Sequence, residues 1–207
     1  MENRTVYVLL SRTQTGVGSF IRMFMPGRYS HVALAFDPYL SEMYTFARLH
    51  VDTPFAGGFL KENPAHYLHG GRDAAIKLHA IELDEAQALF FERELERLEA
   101  GDTCYNLVDA FLLAFKKRMR AEDGAHTCVS FSAHMLGLNA VNEVLDMEKA
   151  LEGFVIYEGF LRAYLGDRYD EQAGLKDEYF KRRGLFHGTR DTFKHVRRLV
   201  RRLRGKK

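Results

Sequence analysis

The chain has 207 residues and a mass of 23.9 kDa, with 46% hydrophobic and 28% charged residues. That composition excludes a disordered or fibrous protein and suffices for one hydrophobic core. Thirty Lys and Arg against 28 Asp and Glu leave a net +2, so overall charge singles out no partner, and two cysteines, Cys104 and Cys128, exclude a secreted-type disulfide framework.

In chain order, residues 5–10 (Thr-Val-Tyr-Val-Leu-Leu) form a β-branched and aromatic run of strand length. Residues 18–25, closed by Pro26-Gly27, suit a short helix. Residues 31–36 alternate as a strand, with His31, Ala33 and Ala35 on one face and Val32, Leu34 and Phe36 on the other. Asp37-Pro38 opens a turn, and residues 43–48 return as the second strand of a hairpin. Residues 52–71, with two prolines and Gly57-Gly58, read as a long irregular loop covering a functional surface.

Residues 75–83 alternate again as a strand. Asp84 with Gln87 then makes a capping box for a helix running to about Ala100 and stopped by Gly101. Glu92, Glu94, Glu96 and Glu99 alternate there with Arg93 and Arg97, as on a solvated face. Residues 105–119 carry apolar positions at helical spacing, and residues 127–136 form a further helix that Thr127 caps and Cys128 begins. The fold class is α+β, an antiparallel sheet packed against helices.

Residues 191–207 hold eight basic residues and one acid, a net +7 that leaves −5 on the preceding 190. Phe193, Val196, Leu199, Val200 and Leu203 recur at helical spacing among the arginines, the pattern of a basic amphipathic helix. Such a helix either docks on the body or meets an anionic membrane surface. An apolar face and no nucleic-acid module favour lipid over specific nucleic acid. We divide the chain into a domain over residues 1–165 and a C-terminal extension over 166–207. No segment approaches the roughly 20 apolar residues of a membrane span, and the expected location is cytoplasmic, with peripheral membrane contact through the tail.

A cysteine in the first turn of a helix meets free backbone N–H groups and the positive end of the dipole, both of which favour a thiolate and a nearby oxyanion. Cys128 has that address; a small buried packing residue is the plainer reading of it. Cys104, before another helix, has a similar setting. A thiolate needs a base, and His31 stands on a strand face of small residues that lets a cysteine-bearing helix approach closely. His66 and His69 have the spacing of half a metal site but lack partners, and read as surface histidines. His126 lies at the entrance of the Cys128 helix. Gly16 and Gly18 lack the remainder of a dinucleotide-binding fingerprint. No cofactor or metal is expected.

The segment Tyr29-Ser30-His31-Val32-Ala33-Leu34-Ala35, then a hairpin, then Thr127-Cys128-Val129-Ser130-Phe131-Ser132, resembles the permuted papain-like family. This is the circularly permuted NlpC-type fold of YiiX-like and YaeF-like proteins and, more distantly, lecithin:retinol acyltransferase. Further echoes are Ser11-Arg12-Thr13, residues 43–48, and Asn63-Pro64 beyond Gly57-Gly58-Phe59, so the resemblance spans residues 5 to about 136. His31 precedes Cys128 by 97 residues, the permuted order. The resemblance implies a Cys128 nucleophile and a His31 base in a hydrolase or acyltransferase that forms an acyl-thioester on an amide, ester or thioester, its substrate a small molecule, lipid or peptide. It assigns Cys104 to packing or helix-start structure.

The family's third polar residue stands on the strand after the histidine. Residues 44–48 hold no His, Glu, Asn or Gln, and pairing His31 with Ala47 makes Thr45 the candidate third member. A hydroxyl accepts a hydrogen bond but supplies no charge. The alternative is therefore a catalytically impaired member that binds a fatty acyl or other amphipathic ligand.

Overall fold

The computed structural model describes residues 4–12, 28–50, 57–68, 72–101, 104–105, 125–174 and 176–181. Strands β1 (Arg4–Arg12), β2 (His31–Ala35), β3 (Met43–Arg48) and β4 (Gly57–Glu62) lead through a short helix α1 (Ala65–Leu68) to β5 (Ala75–Leu83) and helix α2 (Glu85–Ala100). The chain continues through β6 (Cys104–Tyr105), β7 (Ala125–His126), α3 (Cys128–Met135), α4 (Val144–Ala150), β8 (Val155–Phe160), α5 (Leu161–Leu165) and α6 (Tyr169–Ala173). Six strands join in the order β4-β3-β2-β1-β5-β8, every neighbouring pair antiparallel. The α+β expectation of an antiparallel sheet with helices holds.

Period-two alternation sends each strand's side chains to two different cores. One core takes Val6, Val8, Leu10, Val32, Leu34 and Phe46 against Phe91, Leu95 and Leu98 of α2 and Val129, Phe131 and Met135 of α3. The other takes Leu9, Ala33, Ala35, Met43, Ile76 and Leu78 against Tyr67 and Leu68 of α1 and Leu161 of α5. The sheet is thus covered on both sides. The first core is centred on fully buried Phe46 and Phe131, whose ring centroids lie 5.4 Å apart, with Phe59 5.8 Å from each.

The capping chemistry is as the sequence predicts. Asp84 accepts from the Gln87 N–H at 2.8 Å, and the Asp84 N–H donates to the Gln87 side chain at 2.9 Å. Thr127 and Ser130 make the same reciprocal pair at α3, with Ser130 N–H donating to Thr127 Oγ1 at 3.1 Å and Thr127 N–H to Ser130 Oγ at 2.9 Å. Asp37 accepts from the Tyr39 N–H in the expected turn before β3.

Two expectations are corrected. Within the segment read as an irregular loop, residues 57–62 are strand β4, paired from Arg48↔Gly57 to Met43↔Glu62. The Gly-Gly pair marked a loop by local preference, but hydrogen bonding to β3 and burial of Phe59 override it. Asn63 Oδ1 then accepts from the Ala65 N–H at 3.0 Å, turning the chain into α1 with Pro64 at the entry. The helix expected from Tyr105 does not begin there: Cys104 and Tyr105 have their backbone in a two-residue parallel pairing with β7. The helices expected at residues 18–25 and 191–204, and the expected helix over 105–119 from residue 106 on, lie outside the described residues. No helix among the described residues is long and apolar enough to cross a membrane.

Beyond residue 165, Arg168, Asp177 and Tyr179 make contact with the body. Arg168 sits 3.5 Å from the centre of the Tyr39 ring, and Tyr179 is buried.

Truncating Phe131 removes the ring that ties α3 to β3 and β4. Phe131→Ala is expected to lower unfolding free energy by about 3–5 kcal/mol in guanidinium titrations. A loss under 1 kcal/mol would show that α3 is not anchored through this ring.

Candidate active site

Cys128 is the first residue of α3, directly after the Thr127 cap, and it is buried and free of disulfide. The Ser130 N–H is taken by Thr127 Oγ1, and the Phe131 N–H by the Thr127 carbonyl at 3.0 Å. The N–H groups of Cys128 and Val129 precede these bonds and have no carbonyl within the helix to meet. They are the donors available to a negative charge beside Sγ.

His31 opens β2, and its side chain stands close enough to that of Cys128 for the sulfur to bear on its protonation. This is the pair the sequence predicts, but the packing differs from expectation. The Ala33 and Ala35 face does not receive α3; Tyr67, Leu68 and Leu161 cover it, while α3 packs on the opposite face over Val32 and Leu34. Bulky Val129 and Phe131 need the deeper apolar side. His31 and Cys128 therefore meet from opposite layers at the first residue of the strand, where an imidazole is not walled in by a preceding strand residue.

The polar side chain that meets His31 is Glu62, the last residue of β4. Its Oε2 lies 3.0 Å from His31 Nε2, and both side chains are about nine-tenths buried. With Nε2 engaged by the carboxylate, Nδ1 is the nitrogen left for sulfur. Tyr67 OH donates to the same Oε2 at 2.5 Å. Thr45, expected to face the imidazole, instead donates its hydroxyl to the Val32 carbonyl at 2.7 Å. It satisfies a buried backbone acceptor between β2 and β3, which is a structural task.

Sequence reasoning searched β3 for this residue and missed it by one strand. The signal lay in the period of two: Gly58, Leu60 and Glu62 share a face, and Glu62 pairs with Met43 on the Ala33 and Ala35 side of the sheet. Small side chains on that face leave space over the strands for a carboxylate and a phenol.

Burial alone would lower the His31 pKa, but the facing Glu62 carboxylate, the Cys128 sulfur and the hydrogen bond to Glu62 outweigh it and raise it to about 10. Burial alone would raise the Glu62 pKa; His31, by charge and hydrogen bond, with help from His66 and Tyr67, brings it down to about 2. Burial and the Glu62 carboxylate push the Tyr67 phenol well above its ordinary value, so it stays a donor. Neutral pH therefore finds an imidazolium between a carboxylate and a sulfur.

The other histidines do different work. His66 is buried, not a surface residue: Nε2 contacts Asp177 Oδ2 at 2.8 Å, and its ring stacks on Tyr179 at 4.2 Å. His69 lies outside the described residues. His126 packs edge-on against Phe46 at 5.1 Å and stacks near His134 at 5.9 Å. Glu94 is largely withdrawn from solvent between Arg97 and His134, unlike the remaining acids of α2. Among the described residues, no group of three His, Cys, Asp or Glu has the geometry to hold a metal ion.

Comparison of the chain with protein-family models, curated proteins and solved structures finds no match. The site is therefore read from its own geometry.

Replacing Glu62 with Gln leaves His31 buried without its counter-charge, at an expected cost of about 3–5 kcal/mol. The lowered Glu62 pKa contributes stability that is present above pH 4.5 and lost as pH falls through about 2. The raised His31 pKa contributes stability that is full below pH 6.5 and lost as pH rises through about 10. Denaturant titrations should thus show the gap between wild type and Glu62→Gln widest between pH 4.5 and 6.5, narrowing on either side. A gap independent of pH would contradict the ion pair.

Proposed function

We propose that the protein is a thiol hydrolase or acyltransferase of the permuted papain-like type, acting through Cys128, His31 and Glu62. The observation that carries this reading is one imidazole bonded to a buried carboxylate, with a cysteine at the first turn of a helix beside it. An orienting acid, a base and a nucleophile in series are what thiol acyl transfer requires. The chain order of His31 before Cys128 and the antiparallel sheet agree with the permuted arrangement.

In this mechanism Cys128 Sγ, as thiolate, attacks the carbonyl carbon of an amide, ester or thioester and forms the S–C bond. The carbonyl electron pair moves to oxygen, where the N–H groups at the start of α3 stabilise it. As that pair returns, the bond to the leaving amine, alcohol or thiol breaks, and the leaving group takes the His31 proton. Water, or another nucleophile in the transferase case, then attacks the thioester. His31 accepts its proton, and the acid or new acyl product departs from regenerated thiolate. Glu62 keeps the imidazole oriented and compensates its charge throughout.

The impaired, ligand-binding alternative rested on the want of a polar residue on β3 and on the 16 phenylalanines of the chain. Glu62, contributed by β4, answers the first motive, and we adopt the catalytic reading.

His31→Ala should slow the alkylation of Cys128 by iodoacetamide at least about tenfold relative to the native protein by removing the cationic partner. A p-nitrophenyl acyl ester should leave its acyl mass on Cys128 in intact-mass spectra, with no adduct in Cys128→Ser. Equal alkylation rates in wild type and His31→Ala, with no acyl adduct, would overturn the proposal.

A further inference from the structure

Glu62 presents a single oxygen to two donors. Oε2 receives His31 Nε2 at 3.0 Å and the Tyr67 hydroxyl at 2.5 Å, and the centres of the Tyr67 and His31 rings are 6.1 Å apart. Tyr67 does not bond His31, so any influence on the imidazole passes through the carboxylate. We propose that Tyr67 is a positioning residue for the thiol chemistry: its hydroxyl fixes the Glu62 carboxylate so that one oxygen faces the imidazole. The inference rests on the reading of Cys128, His31 and Glu62 as a catalytic set and extends it to a fourth side chain.

A carboxylate at the end of a strand side chain rotates about its terminal torsion over a broad, weakly preferred range. A single contact with His31 leaves that rotation open; a second donor on the same oxygen closes it. Tyr67 is well placed for this because its own position is held at both ends. Its ring is buried in the core beneath Ala33 and Ala35, and α1, which carries it, is tied down by Asp177. Asp177 Oδ2 accepts from Asn63 Nδ2 at 2.9 Å and contacts His66 Nε2 at 2.8 Å, one residue on each side of the turn into α1. The segment around Asp177, far along the chain, thereby bears on the geometry of the site. The titratable and charged groups facing Glu62 and His31 are Cys128 from α3, Tyr67 and His66 from α1, and Tyr179 from the 178–180 turn, beside Arg48 of β3.

The test compares Cys128 alkylation by iodoacetamide across pH 5–10 in full-length wild type, Tyr67→Phe, Tyr67→Leu and His31→Ala. Tyr164→Phe serves as a control that loses a tyrosine hydroxyl bond elsewhere, to the Pro38 carbonyl. Phe keeps the ring packing and Leu keeps an apolar side chain, so a folding failure in one leaves the other to decide. A hydrogen bond to a charged group corresponds to about tenfold or more in an equilibrium. We expect both Tyr67 variants to alkylate about tenfold more slowly at pH 6–7, with the rate profile displaced toward higher pH, and Tyr164→Phe to match wild type. Folded Tyr67 variants with the wild-type profile, alongside a displaced His31→Ala, would overturn the role of Tyr67 and leave the catalytic set standing. An unmoved His31→Ala would overturn both.

Discussion

The 3.0 Å contact between His31 and Glu62 joins two ionisable groups that are both withdrawn from water. Burying either charge alone costs several kcal/mol even after relaxation, so each is tolerable only because of the other. That mutual requirement constrains the sheet. It calls for β4 to pair with β3 in the one register that turns Glu62 to the Ala33 and Ala35 side, since a slip of one residue would send the carboxylate into the aromatic core. It also calls for a small-residue surface there, because Ala33, Ala35 and Thr45 leave room that larger side chains would occupy.

The two faces of the sheet divide the labour accordingly. The Phe46, Phe59 and Phe131 cluster fixes α3 rigidly against β3 and β4, which sets where the first turn of that helix lies. The opposite face carries the polar apparatus under α1. Cys128 arrives from the first face and Glu62 from the second, and His31, the first residue of β2, stands between them. A helix terminus, a strand terminus and a buried acid thereby converge without a loop supplying any of the three, which favours a precise geometry over a mobile one.

The parts of this arrangement differ in how far they could be read from sequence. The strands at Thr5, His31, Met43 and Ala75 and the capped helices at Asp84 and Thr127 announce themselves through periodicity and capping, which are local. The pairing of His31 with Cys128 was legible through the resemblance to the permuted papain-like family, since local setting alone does not separate Cys128 from Cys104. Glu62 was not, because its role depends on β4 pairing with β3 behind a Gly-Gly sequence that signals a loop. Thr45 was chosen on the face that Glu62 shares but one strand short of it, and its hydroxyl serves the Val32 carbonyl, a nearby bond that outcompetes the ring. His66 read as a surface residue because its partner, Asp177, lies 111 residues away. Contacts across such separations leave no periodic trace.

The central claim is that His31 is held as an imidazolium between Glu62 and Cys128. The most direct measurement is an NMR titration of the His31 ring in the intact protein, assigned by comparison with His31→Ala. The account predicts ring shifts of the protonated form through neutral pH, with deprotonation only as pH approaches about 10. A ring that titrates near 6.5, the ordinary value for histidine, would contradict it.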